Sequence, residues 1–348
     1  MAANVTVDGV NRSDVLIVGA GPIGIELAVG LKREGIPYEQ VDAGQIGSTI
    51  SWYAPQTQFF SSPERIAIAG VPLQTLDQSK ATREEYLTYL RSVVLQFDLK
   101  IETGVRVNAI ARSADGFVVT TFARDGERKR QAKNVVLAIG DMHRPHLLGV
   151  PGEDLPHVSH FFGDPHAYFR RQVLVVGGRN SAVEAAIRCV RVAAIVTLSY
   201  RAAELDPKHV KPWLLPEINA MIRDRRMTFL PGTTVREITP AYVVLDPGGR
   251  RVDADSVLLL TGYEQDSSLF ESAGVTLVGP QRRPRFNEAT METDVPGLYV
   301  AGTAAAGTQV SGTTAFIETS HIHIGRIVAA LKGEPAPVEQ QAYSVPEQ

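Results

Sequence analysis

The chain has 348 residues and a mass of 37.7 kDa, too long for one small core and suited to two domains. Hydrophobic residues make up 44% and charged ones 21%, which excludes disordered and fibrous classes, and a formal net charge of −3 provides no overall basic field for nucleic acid or an anionic bilayer. A single cysteine, Cys189, excludes a disulfide framework and redox chemistry that needs two thiols of one chain; with no leader pattern, and with residues 295–317 uncharged but rich in Gly and Thr, the expectation is a cytoplasmic protein without a membrane span.

Residues 14–18 (DVLIV) form a continuous apolar run, as expected of a parallel strand buried on both faces. The turn Gly19-Ala20-Gly21-Pro22-Ile23-Gly24 follows, then a helix from Ile25 to Arg33 and a strand Tyr38–Asp42. Together they predict one βαβ unit. Thr82-Arg83-Glu84-Glu85 has capping-box spacing and opens an amphipathic helix to Leu99. Alternating segments over 105–139 predict an antiparallel meander ending in the strand 134–139. Within it, residues 128–130 (RKR), beside the turn signal Asp125-Gly126, read as a solvated hairpin.

A crossover rich in Pro, Gly and His covers 140–171, after which the first pattern restarts. It runs through strand Gln172–Val176, turn Gly177-Gly178-Arg179-Asn180-Ser181-Ala182, a helix to Val192 and a strand 195–199. A second meander closes with the strand 257–260, followed by the strand 297–301 (GLYVA) and one long helix over 313–331. The last residues, 335–348, contain three prolines and read as a fraying tail. No short repeat is visible.

Gly19-x-Gly21-x-x-Gly24 fits the dinucleotide fingerprint with strand, helix and second strand in place. Gly19 permits the tight turn, Gly21 lets a pyrophosphate approach bare backbone, and Gly24 lets the helix pack on the strand. The phosphates would rest on unpaired N–H groups at the positive end of that helix, and Asp42 could accept from ribose hydroxyls. The second turn is less regular, because Arg179 replaces the middle glycine between Gly177 and Ala182. Its second strand ends at Ser199-Tyr200-Arg201 without a carboxylate, which suits a 2′-phosphate and hence NADPH rather than NADH. Two dinucleotide folds in a chain of this length point to a tightly held FAD and an exchangeable NADPH, with the hydride chemistry carried by the flavin.

This order of glycine turn, meander, inserted nucleotide half, second meander and GLYVAG resembles the low-molecular-weight thioredoxin-reductase-like flavoproteins over residues 13–331. Within that group it is most similar to the bacillithiol disulfide reductase branch, through residues 150–160 (VPGEDLPHVSH), 177–185 (GGRNSAVEA), 210–216 (VKPWLLP) and 316–318 (FIE). The resemblance implies an α/β fold of two Rossmann-like (three-layer ββα) domains, with an NAD(P)H domain (148–263) inserted into a split FAD domain (1–147 and 264–334), and the proline-containing 335–348 reads as a flexible tail. It implies FAD at Gly19, Gly21, Pro22, Ile23, Gly24 and Asp42, and at Gly140, Gly302, Thr303 and Thr314. It implies NADPH at Gly177, Gly178, Arg179, Asn180, Ser181 and Arg201, and a homodimer.

The sequence departs from that family in four places. No CxxC occurs over 158–166 and no CxxxxC over 44–62. The branch's glycine-turn cysteine is replaced by Ile23, and Cys189 reads as an inert core thiol. The usual Gly-Asp after the last strand is Gly302-Thr303. A helix starting at Thr313-Thr314 would direct its positive end at the flavin pyrimidine ring.

His143, His146, His157, His160 and His166 crowd the crossover and read as hinge residues rather than metal ligands, with His160 near the flavin. The candidate catalytic side chains are His160, Glu318 and His321, the last also open to simple surface packing. Trp52 and Tyr53 could stack on isoalloxazine or pack ordinarily. The function expected is an FAD-containing, NADPH-dependent oxidoreductase passing hydride from nicotinamide C4 to flavin N5. The electrons then go to a small-molecule or small-protein acceptor, with domain rotation about 139–150 and 261–266 joining the half-reactions. A low-molecular-weight or protein disulfide reduced at the flavin is one acceptor. The alternatives are ferredoxin, flavodoxin or a quinone, or a non-catalytic nucleotide-sensing flavoprotein.

Overall fold

The apolar run before the first glycine turn ends strand β1 (Val10–Val18) in the computed structural model, which describes residues 5–7, 10–309 and 315–337. Val15, Leu16 and Ile17 are almost wholly buried, as a central parallel strand requires. Helix α1 (Pro22–Arg33) starts before Ile25, because the fixed φ of Pro22 suits a first helical position. It leads to β2 (Tyr38–Asp42), paired parallel to β1 with Val41 opposite Val18. Short helix α2 (Pro63–Ile66) precedes α3 (Arg83–Gln96). The capping box of α3 is complete: Thr82 Oγ1 accepts from Glu85 N, and Glu85 Oε2 from Thr82 N. This helix stops short of Leu99 at Gln96, before Asp98 turns left-handed at φ 44°.

Edge strand β3 (Glu102–Thr103) is followed by the meander β4 (Arg106–Ser113), β5 (Gly116–Ala123) and β6 (Gly126–Leu137). The sheet order is β3-β2-β1-β6-β5-β4, with β6 parallel to β1 and antiparallel to β5. The hairpin at Gly126 forms, but its basic run is not uniformly solvated. Arg130 is 4% exposed, donating to both oxygens of Glu102 at 2.7 Å and to Glu39 at 3.0 Å. Two carboxylates on β2 and β3 neutralise a guanidinium that local composition places in water.

The inserted half repeats the plan with β7 (Val158–Ser159), β8 (Gln172–Val176), α4 (Asn180–Arg191) and β9 (Ile195–Tyr200). Then come α5 (Leu214–Arg223), β10 (Thr228–Pro231), an antiparallel trio β11 (Thr234–Ile238), β12 (Tyr242–Asp246) and β13 (Arg250–Asp253), and β14 (Ser256–Leu259). Its parallel sheet has the order β10-β9-β8-β14-β7. The fold is α/β, with two Rossmann-type domains.

The chain returns to the first sheet at β15 (Leu298–Val300), which pairs parallel to β6. The single helix expected over 313–331 is instead two, α6 (Ile317–Ser320) and α7 (Ile322–Lys332), its expected start lying outside the described residues. The break comes at His321, where Ser320 Oγ bonds back to Phe316 O and the ladder tightens to Ile324 N–His321 O.

Two compact units result. One comprises the chain up to Ser51, Ser61–Arg144 and the part from Tyr263 onward; the other comprises Trp52–Phe60 and Pro145–Gly262. The segment Trp52–Phe60, assigned by sequence to the first half, therefore groups with the inserted one. None of the described helices is long and apolar enough to cross a membrane.

Candidate functional site

In the first unit, β1 delivers Gly19 in a conformation that L side chains rarely adopt, φ +114°. A Cβ on Gly19 would lie 2.3 Å from Ala138 O, and one on Gly24 would lie 2.2 Å from Gly19 O, so neither turn position admits a side chain. Gly21 is different: nothing lies within 4 Å of where its Cβ would stand. It caps α1 without a side chain, and the first turn of that helix has no acidic residue. A bare backbone face at a helix N-terminus fits a pyrophosphate.

Pro22 opens α1, and buried Ile23 faces Gly302, where a Cβ would meet Ile23 Cβ at 3.3 Å. Gly302 follows β15 at φ +72°. Thr303 Oγ1 lies 3.9 Å from the Cβ position of Gly140, the glycine beyond β6. The expected positions on three separate loops thus converge beyond the C-terminal ends of β1, β6 and β15, where open α/β sheets hold ligands. Asp42, ending β2, accepts from Ala20 N at 2.6 Å and Gly44 N at 2.7 Å, fixing the glycine turn to the loop after β2. Thr314 lies outside the described residues.

Two residues in this cradle were not marked by any motif. Gln265 is buried and donates through Nε2 to Gly140 O at 3.1 Å and Ala304 O at 3.0 Å. His323 Nδ1 accepts from Gly302 N at 3.0 Å. Burial, with the charges of Arg326 and His321, pushes His323 down to about 4, so the ring is a neutral acceptor at pH 7. Only the folded chain reveals either role. Gln265 has no local pattern around it, and His323 reads as one of two histidines on a helix.

The candidate catalytic groups are placed as follows. His321 Nδ1 lies 2.7 Å from Glu26 Oε2, and its Nε2 lies 2.9 Å from Arg65 O. Both partners are acceptors, so the ring fills both bonds as imidazolium. Burial alone would lower its pKa, but the Glu26 hydrogen bond and charge outweigh burial and raise it. Glu318 Oε1 accepts from buried Ser61 Oγ at 2.6 Å. His160 belongs to the other unit, with Nε2 3.7 Å from Glu153 Oε1 and a buried, unpartnered Nδ1. In the first unit, His143 Nδ1 accepts from Asp266 N, and burial lowers its pKa. Among the described residues no three His, Cys, Asp or Glu side chains gather as a metal site.

In the second unit, Gly177 has φ +138°, and a Cβ there would lie 2.5 Å from Leu260 O. Gly178 lies under the Tyr200 ring, whose carbons would meet a Cβ at 2.5 Å. Arg179 caps α4 and is exposed, as are Ser181 in its first turn and Arg201 beyond β9. Asn180 is turned inward, its Oδ1 accepting from Lys211 N at 2.6 Å.

Lys211 is itself buried, with Nζ 2.8 Å from Gln58 O and 3.0 Å from Glu184 Oε2. Arg188 on α4 donates to Pro55 O and to Thr57 Oγ1. Trp52 meets Phe161 edge-on, Tyr53 meets Phe59, and Phe60 stacks on Trp213. The segment Trp52–Phe60 is thus a strap pinned to α4, with the Trp52 ring packed on Phe161 and the Tyr53 ring on Phe59. Cys189, on the buried face of α4, has no exposure, and burial pushes its thiol up to about 12.

The family model for pyridine nucleotide-disulphide oxidoreductases matches residues 16–302. The bacilliredoxin reductase Bdr of Bacillus subtilis (strain 168) is 35% identical over 324 residues, covering 92% of this chain and 98% of that one. The solved bacillithiol disulfide reductase Bdr (YpdA) from Bacillus cereus superposes with a TM-score of 0.88 at 34% identity, over 92% of this chain and 99% of that one. The thioredoxin reductase of T. acidophilum shares the fold, with a TM-score of 0.71 at 22% identity, over 92% of this chain and 98% of that one.

Proposed function

This chain belongs to the pyridine nucleotide-disulphide oxidoreductase family, and we propose that it uses NADPH and a bound FAD to reduce a low-molecular-weight disulfide without a cysteine of its own. It is a flavin-dependent pyridine nucleotide oxidoreductase with a thioredoxin-reductase-like fold. The observation that carries the proposal is the pairing of two glycine-turn cradles with a lone thiol that is fully buried and held protonated.

When bound, FAD supplies the chemistry, taking hydride from the nicotinamide and passing two electrons onward. The chain's part is to hold and orient. Gly19, Gly21 and Gly24, with the N-terminus of α1, receive the pyrophosphate, and Asp42 receives the ribose. Gly140, Gly302 and Thr303 would also hold the flavin nucleotide, with the Thr303 hydroxyl where the family pattern has a carboxylate. In the second unit Gly177, Arg179 and Ser181 receive the phosphates of NADPH and Arg201 the 2′-phosphate. Asn180 anchors Lys211 instead. His321, with both ring N–H groups held by Glu26 and Arg65 O, is not free to supply the proton that, with the flavin's two electrons and hydrogen, completes two thiols. A homodimer is part of the proposal.

Anaerobic titration with NADPH, followed by an acceptor panel, tests this reading. Stoichiometric bleaching of the flavin and turnover with low-molecular-weight disulfides are expected. Bleaching followed by turnover only with ferredoxin, flavodoxin or a quinone overturns the disulfide assignment. No bleaching overturns the enzyme mechanism.

A further inference from the structure

The turn Gly302–Ala306 is a short 3-10 element that follows β15 and carries the Thr303 hydroxyl. It is gripped from two directions. From α7, His323 Nδ1 takes the N–H of Gly302 at 3.0 Å. From the return chain, Gln265 Nε2 donates to Ala304 O at 3.0 Å and to Gly140 O at 3.1 Å, tying this turn to the loop after β6. The backbone of Gln265 is anchored in turn, its N–H donating to Thr308 Oγ1 at 3.0 Å. Both side chains are buried. Two carbonyl acceptors fix the amide with its NH₂ toward the turn, and the Gly302 donor fixes the imidazole as the Nε2–H tautomer.

Gly302 is left-handed and presses against Ile23 of the first glycine turn. A slip of the Gly302–Ala306 turn would therefore displace Thr303 relative to Gly140 and the first glycine loop. We propose that His323 and Gln265 are positioning residues for the flavin nucleotide, holding the Gly302–Ala306 turn in its binding-competent place. Each would act through the backbone atoms it holds, His323 through Gly302 N and Gln265 through Gly140 O and Ala304 O. The inference rests on FAD occupying this cradle, as argued above.

The test is binding of FAD to the apoprotein, followed by quenching of free FAD fluorescence, with unfolding of each apoprotein measured in parallel. Replacing His323 by Leu should weaken FAD binding by about tenfold or more, the loss of about 1.4 kcal/mol of positioning. His323→Asn, whose Oδ1 can accept from Gly302 N, should recover most of it. Gln265→Met should weaken binding in the same direction. Equal affinities of His323→Leu, His323→Asn and the parent chain overturn the inference. So does a loss in the His323→Leu and His323→Asn variants alike that tracks apoprotein stability. A parent chain that binds no FAD would instead remove the reading on which the inference rests.

Discussion

His321 at the junction of α6 and α7 and Glu26 on the helix of the first glycine turn are joined side chain to side chain at 2.7 Å, with Arg65 O at 2.9 Å on the other ring nitrogen. This ion pair ties α1 to the junction of α6 and α7 and to α2. Burial opposes the charged ring, yet the Glu26 hydrogen bond and charge win and raise the His321 pKa. Its contribution to stability is therefore complete below the unfolded value of about 6.5 and falls as pH rises through the higher native value. Urea unfolding at pH 6 and pH 9 should show the parent losing more stability than His321→Leu over that interval. The variant should be about 3 kcal/mol less stable at pH 6, because Glu26, still bonded to Ala69 N, loses its cationic partner. A parallel pH dependence in both proteins would contradict this.

The first glycine turn separates packing from binding. Gly21→Ala places a Cβ in open space, so folding stability should stay within about 0.5 kcal/mol of the parent while FAD affinity drops. Gly24→Ala drives a Cβ toward Gly19 O and should cost about 1–3 kcal/mol from overpacking. Thermal unfolding of the two apoproteins, with FAD titration, checks the contrast. Equal destabilisation by both would refute it.

Arg201 stands exposed beyond β9, on a strand end without a carboxylate. Loss of a charge-assisted phosphate contact costs about 1.5–3 kcal/mol. Arg201→Ala should therefore raise the KM for NADPH about tenfold or more and leave that for NADH nearly unchanged. An unchanged NADPH/NADH ratio of kcat/KM would assign the 2′-phosphate elsewhere.

The strap Trp52–Phe60 depends on Arg188 and Lys211. Lys211→Met would strip Gln58 O and Glu184 of a buried partner, at a cost of about 1–3 kcal/mol. Limited proteolysis should then cut within 52–60 faster than in the parent, and faster still in the double variant with Arg188→Ala. Unchanged cleavage would mean that the ring contacts hold the strap unaided.

The parts of this fold that local pattern encodes were legible. The apolar run before Gly19, the capping box at Thr82 and the restart at Gln172 each depend on residues a few positions apart. The glycine turns were legible because only glycine serves where backbones press together, as Gly24 does on Gly19 O. What escaped was set by distant partners. Arg130 looks solvated until Glu39 and Glu102 are brought to it from other strands. The strap has no period of its own, and its anchors lie on α4 and just before α5. His323 and Gln265 serve the cradle only through backbone atoms on other loops.

The most direct test of the central claim is steady-state turnover of the cysteine-free variant Cys189→Ala with NADPH and a low-molecular-weight disulfide under anaerobic conditions. With the thiol fully buried and held near 12, the variant should turn over at the parent's rate once its flavin content is matched. A variant whose flavin is still reduced by NADPH, but whose disulfide turnover has vanished, would contradict the account.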